Sequence, residues 1–409
     1  MLEEERPVPQ LRRVTALPNE SKIRPIIAER IAAWLASSFE SNTTVVNDIP
    51  ELGVVIGTTR GTERIENQDR LVAVRYSVTS SHSRGFILFA LCDGMGGMKD
   101  GAVCAEMAIG NLIQSLVTSN EFSLDSRLHT AVKTANKAIF SRYHEQGGTT
   151  LSLLAKSAQG KLVALNVGDS RLYEFANSKQ FHFRQISVDD TIAGEVERLR
   201  GVAFTTQNHA DYLDRLAQYI GLGDGLAPRS YEASEFMTGS DFLLTSDGAH
   251  NIRNNLVGNI IRNASSASEI VRRLIQLSIW TGGLDNASII CVQNNVLRQL
   301  QPIKNPPYDL LEVWSPFGKF EIPFEATLEV FNGKNRGAEQ NQPPSQSKNT
   351  LAVNEPATVK AKKRPRKKAQ KIAASSKPDR SRKSKPQKEL DIQVSINGDG
   401  TEDDHRDDS

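Results

Sequence analysis

Cysteines, aromatic residues and long apolar runs are all scarce in this 409-residue chain. Its three cysteines, Cys92, Cys104 and Cys291, lie in apolar stretches, and their spacing fits neither a disulfide framework nor a zinc site, so packing explains them best. No run approaches the roughly 18 to 20 apolar residues of a membrane helix, and the N-terminus lacks the apolar core of a signal peptide. We therefore expect a reduced, cytoplasmic protein with no membrane span.

The net charge of +2 hides a strong segregation of charge along the chain. Residues 360–388 carry 14 Lys and Arg against one acid, and residues 389–409 carry eight acids against one Arg. The basic block could bind nucleic acid nonspecifically, an acidic protein partner or an anionic membrane surface through counterion release. It has no aromatic residues for base stacking, which argues against sequence-specific recognition. A simple solvated tail is the alternative.

Composition divides the chain into four parts. Residues 1–50 form an N-terminal extension with a helix that has Pro25 in its first turn. Order concentrates in residues 53–296, where short β-rich runs are separated by turns and helical patterns. Residues 297–331 contain one Trp and four Phe and either pack on this domain or contact a partner. Residues 332–409 have too little apolar surface to offset chain entropy, so we expect a disordered tail, basic and then acidic.

The order of the elements in residues 53–296 indicates the fold class. Many β-runs come before and after paired helices, so strands do not alternate with helices as in a doubly wound sheet. One helix is predicted to begin near Gly101, and another at Ser266, with Glu269 at the spacing of a capping box. We expect an α+β fold, with a central β-sandwich of two mostly antiparallel sheets flanked by helices on both sides as four α/β/β/α layers.

Aspartates stand at or near the ends of five apolar strands: Asp69, Asp93, Asp169, Asp247 and Asp285. A single aspartate at such a place is most simply a turn or cap residue. Strands packed in one sandwich would bring the five tips together, and clustered carboxylates repel one another unless cations neutralise them. Oxygen ligands suit Mg²⁺ or Mn²⁺, so the pattern predicts a site for several metal ions.

Six short motifs occur in an order and spacing that resemble the metal-dependent serine/threonine phosphatases of the protein phosphatase 2C (PPM) family. They are RIENQD (64–69), DGMGGMKDG (93–101), GGTTL (147–151), NVGDSRLY (166–173), LLTSDG (243–248) and LDNAS (284–288). The resemblance covers residues 53 to 295, roughly 60% of the chain, and the NQD form of the first motif is similar to bacterial members.

The resemblance implies roles for the aspartates in holding two to three Mn²⁺ or Mg²⁺ ions. Asp93 would bridge two ions, with the carbonyl of Gly94 on the second. Asp247 and Asp285 would complete the shell of the first ion, and Asp69 would lie near the second. A water bridging two cations loses its proton near neutral pH and can attack phosphorus in line.

The same resemblance assigns two further residues. Asp169 corresponds to a ligand of a weaker third ion. Arg64 aligns with the arginine that holds the substrate phosphate, for which a guanidinium fork is suited; an ordinary surface salt bridge is the alternative for it.

Three positions depart from the family pattern. Met95 stands where some members have a histidine that could act as general acid. His250 follows the SDG motif and is either an acid or a surface histidine at a helix start. Asp190 replaces a histidine and receives no role.

These features leave three interpretations of function. The first is a protein phosphatase that acts on phosphorylated proteins and opposes a cognate Ser/Thr kinase. The second is a catalytically silent scaffold or phosphoprotein sensor of the same fold, although the full set of aspartates favours activity. The third is a nucleic-acid-binding protein, which explains only residues 360–388.

Overall fold

The computed structural model describes residues 24–41, 43–79, 84–177, 180–195, 215–251, 256–300 and 307–324. The chain divides into two units, residues 1–331 and 332–409, and every described residue belongs to the first. The predictions of a disordered tail and of a basic binding block therefore lie outside the described residues.

Thirteen strands and seven α-helices are described, with short 3₁₀ turns at Pro50–Leu52 and Ala233–Glu235. The strands are β1 (Val45–Ile49), β2 (Val54–Thr59), β3 (Asp69–Ser77), β4 (Phe86–Asp93), β5 (Leu151–Ser157), β6 (Leu162–Val167), β7 (Arg171–Ala176), β8 (His182–Gln185), β9 (Arg229–Glu232), β10 (Asp241–Thr245), β11 (Ala287–Val292), β12 (Asp309–Ser315) and β13 (Gly318–Phe324). The helices are α1 (Arg24–Phe39), α2 (Gly101–Thr118), α3 (Leu124–Tyr143), α4 (Asp247–His250), α5 (Leu256–Arg262), α6 (Ala267–Trp280) and α7 (Asn294–Gln299).

Two antiparallel sheets form the centre of the domain. One has the strand order β1-β2-β11-β10-β7-β8, and the other has the order β13-β12-β3-β4-β5-β6-β9. Helix α2 packs on β3 and β4 and contacts α1 and α3, whereas α6 packs on β2 and β11 of the other sheet. The expected four-layer sandwich with helices on both sides is confirmed.

The apolar pattern of the sequence explains why these elements pack as they do. Strand β4 is buried along almost its whole length, since its two faces meet α2 and the opposite sheet. Helix α2 begins at Gly101 as predicted. It is long and apolar enough to cross a membrane by length and composition alone, but 67% of it is buried inside the domain, which marks it as a core helix.

The start of α6 also follows its sequence signal. The hydroxyl of Ser266 accepts a hydrogen bond from the backbone N–H of Glu269 at 3.2 Å. The Glu269 carboxylate accepts from the backbone N–H and hydroxyl of Ser265, both at 2.7 Å, so the return bond of the capping box goes to the neighbouring residue.

Residues 309–324 are part of the larger sheet. Strand β12 pairs with β3, and the β12–β13 hairpin extends the sheet at that edge. Aromatic rings join this hairpin to α1: Trp34 stacks on Phe320 at 5.4 Å, and Phe39 meets Phe317 edge-on at 4.8 Å between ring centroids. Both extensions of the central domain are thus packed against each other and against the sandwich.

Candidate active site

Strand register brings the predicted aspartates to one edge of the sandwich. Asp69 and Asp93 are direct partners in the antiparallel pair β3–β4. In the other sheet, Asp247 lies just beyond the end of β10 and Asp285 just before β11, at the same end of that antiparallel pair. Asp169 follows β6, whose last residue pairs with the first residue of β5.

A close backbone contact fixes the LLTSDG and LDNAS motifs against each other. A Cβ atom at Gly248 would lie only 2.1 Å from the carbonyl oxygen of Asn286. Only glycine permits this approach, which sets Asp247 beside Asp285. In the other sheet, a Cβ at Gly94 would lie 2.4 Å from the backbone of Gly101, so the turn after Asp93 packs tightly on the start of α2.

Burial and, after it, mutual repulsion raise the pKa values of these carboxylates. Burial, and then the charges of Asp69 and Asp247, raise the pKa of Asp93 well above its usual range. Burial raises the pKa of Asp69 to about 7, although hydrogen bonds from Ser288 and Ser246 oppose the shift. Burial and the neighbouring Asp247 raise the pKa of Asp169 to about 7. The cluster therefore lacks enough positive charge of its own.

The pKa of Asp247 is raised in the same way. Burial and Asp285 raise its pKa, while a hydrogen bond with Asp93 acts in the other direction. Among the described residues, the buried oxygens Asp69 Oδ1 and Asp247 Oδ1 have no hydrogen-bond partner. Buried carboxylate oxygens without a donor are costly, and a hard cation is the kind of ligand that would satisfy them.

Arg64 is the cation that the structure places at this cleft. Its Nη2 donates to Asp285 Oδ2 at 2.5 Å, so the salt bridge considered for Arg64 is present, but inside the predicted site. A Cβ at Gly96 would lie 2.5 Å from Arg64 Nη1, which means that the glycine-rich turn leaves room for the guanidinium. In this arrangement, no three Asp, Glu, His or Cys side chains of the described residues are grouped closely enough to enclose an ion.

The GGTTL and NVGDSRLY motifs position the main chain of Asp93. The backbone N–H of Asp93 donates to Thr150 Oγ1 at 3.0 Å, and Thr149 Oγ1 donates to the Asp93 carbonyl at 2.8 Å. Thr150 Oγ1 is also 2.7 Å from Ser170 Oγ. These hydroxyls hold the backbone of Asp93 without neutralising its charge.

Sequence reasoning missed Asn286, which fastens the loop that carries Arg64. Its Nδ2 donates to the carbonyls of Arg60 at 2.8 Å and Glu66 at 3.0 Å, and its Oδ1 accepts from the Gln68 N–H at 2.8 Å. Its place directly after Asp285 in the LDNAS motif was the available signal.

Arg70 was also missed, although it follows Asp69 directly. Its Nη1 donates to the Asn67 carbonyl at 2.7 Å and to the Asp69 carbonyl at 2.9 Å, and its Nη2 donates to buried Glu106 at 2.6 Å. The Phe39 ring of α1 lies 4.5 Å from the Arg70 guanidinium. The N-terminal helix thus contacts the residue that holds the backbone around Asp69.

Both interpretations of His250 were wrong. It is buried at the end of α4, hydrogen bonded through Nδ1 to Thr245 Oγ1 at 2.8 Å, and packed edge-on to Tyr173. Burial lowers its pKa well below the usual range, so it is a neutral core residue. Asp190 is structural as well, since it accepts from Arg229 Nε at 2.6 Å and from the Gly168 N–H at 3.1 Å.

The three cysteines are buried and free. Burial raises the pKa of each thiol, that of Cys104 to about 12, which keeps them protonated and unsuited to nucleophilic attack. Their assignment to packing is confirmed.

Comparisons with known proteins agree with the motifs. The chain is 27% identical over 220 residues to the serine/threonine phosphatase stp of Listeria welshimeri, covering 51% of this chain and 85% of that protein. It is 28% identical over 251 residues to the serine/threonine protein phosphatase PstP of Mycobacterium tuberculosis, covering 60% of this chain and 46% of that protein. No protein-family model matches the chain.

The fold has a counterpart among solved structures. The serine/threonine phosphatase Stp1 of Staphylococcus aureus superposes with a TM-score of 0.50 at 21% identity, over 59% of this chain and 94% of that structure. This likeness concerns the fold, and it matches the two sheets and flanking helices described above.

Proposed function

Because this chain is a homologue of bacterial serine/threonine phosphatases of the protein phosphatase 2C type, we propose that it hydrolyses phosphoserine and phosphothreonine in proteins with the help of divalent cations. The observation that carries this proposal is the cluster of buried aspartates at one edge of the sandwich, whose pKa values are raised by burial first and by the neighbouring carboxylates second. The comparisons give no support to the catalytically silent alternative.

Mn²⁺ and Mg²⁺ prefer carboxylate and carbonyl oxygens, which are the donors at this edge; binding two to three such ions requires the carboxylates to draw closer together than they lie in this arrangement. Asp93, Asp247 and Asp285 would hold one ion, and Asp93, with the Gly94 carbonyl and nearby Asp69, a second. Asp169 would serve a third. Such ions supply a water that is deprotonated near neutral pH, and they neutralise charge on the phosphate.

The chain's own residues orient the substrate. Arg64 has a side chain that is 42% exposed, and a guanidinium offers five N–H donors. It can therefore keep Asp285 on one edge while it donates to a phosphate oxygen on another. The Ser246 hydroxyl, 2.9 Å from Asp69 Oδ2, and the threonines around Asp93 keep the carboxylates in place.

The substrates that follow are phosphorylated proteins, and a cognate Ser/Thr kinase is the partner that produces them. Residues 360–388 would add a nonspecific contact with nucleic acid or an acidic partner.

The test is hydrolysis of a phosphothreonine peptide by the full chain in EDTA, Mg²⁺ or Mn²⁺. We expect phosphate release that requires a metal ion and is lost in Asp93→Asn. The matched control is Asp48→Asn, an exposed aspartate on β1, which should behave as the unchanged protein. Equal activity of Asp93→Asn and the unchanged protein, or no activity with any metal ion, would refute the proposal.

A further inference from the structure

Three large apolar side chains are exposed in or next to the segments that carry Arg64 and Asp285. The exposed fractions are 92% for Ile65, 80% for Trp280 and 71% for Leu284. Single exposed apolar residues are ordinary in soluble proteins, and only their grouping is informative. Ile65 lies in the loop 60–68 before β3, and Leu284 lies in the segment 281–286 between α6 and β11; these two segments meet at the candidate site, and Trp280 is the last residue of α6.

Hydrogen bonds tie the two segments to each other. The Thr62 N–H donates to the Gly283 carbonyl at 2.8 Å, and the Thr62 hydroxyl donates to the Gly282 carbonyl at 2.6 Å. Gly61 has a positive φ of 77°, and a Cβ there would lie 2.5 Å from the carbonyl oxygens of Gly283 and Asp285. The two segments therefore form one surface held in a defined arrangement.

This surface is continuous with the phosphate-binding position. Ile65 directly follows Arg64, and Leu284 directly precedes Asp285, the two residues joined by the 2.5 Å salt bridge. A peptide with its phosphate at Arg64 would thus bring the neighbouring side chains to Ile65 and Leu284.

The charge of the same loop favours apolar neighbours over acidic ones. Glu63 and Glu66 are exposed on either side of Arg64 and Ile65, so a substrate with acidic residues near the phosphate would meet like charges. An apolar residue would instead remove Ile65 and Leu284 from water.

We propose that Ile65 and Leu284 form an apolar rim that binds the residues flanking the phosphorylated side chain, and that the preferred substrates carry large apolar residues there. This inference rests on the proposed phosphatase function, because it names the substrate class of that site. Continuity with Arg64 and Asp285 identifies the occupant as substrate rather than as a second copy of the chain.

The experiment compares three phosphothreonine peptides that differ only in the two residues flanking the phosphothreonine: Leu, Gly or Glu. For the unchanged full chain, kcat/KM should be about tenfold higher with Leu than with Gly, as expected for partial burial of one or two apolar side chains, and lowest with Glu. In the double variant Ile65→Ser, Leu284→Ser, the Leu-to-Gly ratio should fall to about one, mainly through a higher KM.

The matched control is Phe122→Ser, which removes an 82% exposed apolar side chain between α2 and α3. It should keep the Leu-to-Gly ratio of the unchanged protein. Thermal unfolding of all variants shows that they are folded, which is expected because the replaced side chains are exposed.

The outcomes separate the rim from the phosphatase function. If the unchanged protein hydrolyses neither the peptides nor an aryl phosphate in the presence of metal ions, the proposed phosphatase function is refuted. Hydrolysis with equal kcat/KM for the Leu and Gly peptides refutes the rim alone. A double variant that loses a concentration-dependent dimer but keeps the Leu-to-Gly ratio also refutes it, since the rim would then bind a second copy.

Discussion

Two sets of buried acids in the larger sheet differ in the charged side chains that surround them. Glu312 on β12 accepts hydrogen bonds from Arg75 at 2.5 and 2.9 Å and from Lys319 at 2.7 Å. Burial alone would raise its pKa, but these two cations lower it below its ordinary value. Asp93 and Asp69, at the facing ends of β4 and β3, have raised pKa values instead.

At Glu312, two protein cations face the buried acid and offset the cost of its burial. At the carboxylate edge, Arg64 is placed beside Asp285, while the remaining aspartates face one another. Clustered carboxylates of this kind are a feature of functional sites, where the missing charge arrives with a ligand. The following predictions test this contrast between paired and uncompensated acids.

The largest effect is expected at Asp247. Asp247→Asn removes one charge of the cluster and should lower kcat for a phosphothreonine peptide by roughly 10³-fold, on the order of 4 kcal/mol in the barrier. In EDTA the same variant should be at least as stable as the unchanged protein in urea unfolding, because repulsion with Asp285 is relieved. Marked destabilisation in EDTA would mean that Asp247 is a structural residue.

Glu312→Gln should destabilise the protein, in contrast to Asp247→Asn. It keeps the shape of the side chain but leaves Arg75 and Lys319, whose side chains are 14% and 24% exposed, without a full counter-charge. We expect the free energy of unfolding to fall by about 2 to 3 kcal/mol, as measured by urea denaturation. An unchanged midpoint would show that this pairing adds nothing to stability.

In EDTA, the contributions of the two sets of acids to stability should also change with pH in opposite directions. The pKa values of Asp69 and Asp169 are raised to about 7, so the folded state binds protons more tightly than the unfolded state. Their contribution to stability is complete below about pH 4 and is lost as pH rises through 7. Between pH 6 and 8 the free energy of unfolding should therefore fall by about 3 kcal/mol, with about 1.4 kcal/mol from each of the two groups.

Glu312 provides the contrast within the same protein. Its pKa is lowered, so its contribution is present above about pH 4.5 and is lost as pH falls through the folded-state pKa. Asp169→Asn should reduce the loss of stability between pH 6 and 8, and Glu312→Gln should leave that loss intact. A metal-free protein whose stability rises over this range would contradict the account of the cluster.

The smallest effect is expected from deletion of residues 332–409, which form a separate unit. Metal-dependent hydrolysis of an aryl phosphate should change by less than about twofold, because a domain with its own core folds independently. A steady-state assay of the truncated chain checks this, and a large loss would place part of the catalytic machinery in that unit.

The sequence predicted those parts of the site that depend on local pattern. Apolar runs located the strands, and the aspartates at the ends of those strands were therefore expected to meet at one edge of the sandwich. The close approach of Gly248 to the Asn286 carbonyl explains why a glycine stands at the end of the LLTSDG motif.

The parts that were missed depend on contacts between residues distant in the chain. The burial of His250 against Tyr173 arises from packing of α4 on the sheet, which no local pattern reveals. The same holds for Phe39 over Arg70 and for the pairing of β12 with β3, since the partners are separated by tens to hundreds of residues. Partner choice over such distances is set by the whole core.

The central claim is that the aspartate cluster binds divalent cations. Thermal unfolding at pH 7.5 tests this most directly, with the unchanged protein and Asp93→Asn each measured in EDTA and in increasing concentrations of Mn²⁺. We expect Mn²⁺ to raise the Tm of the unchanged protein by several degrees and to leave the Tm of Asp93→Asn nearly constant. Each kcal/mol by which Mn²⁺ binding stabilises the folded state should raise the Tm by about 2 to 4 °C. A Tm that is independent of Mn²⁺ in the unchanged protein, or an equal rise in both, would contradict it.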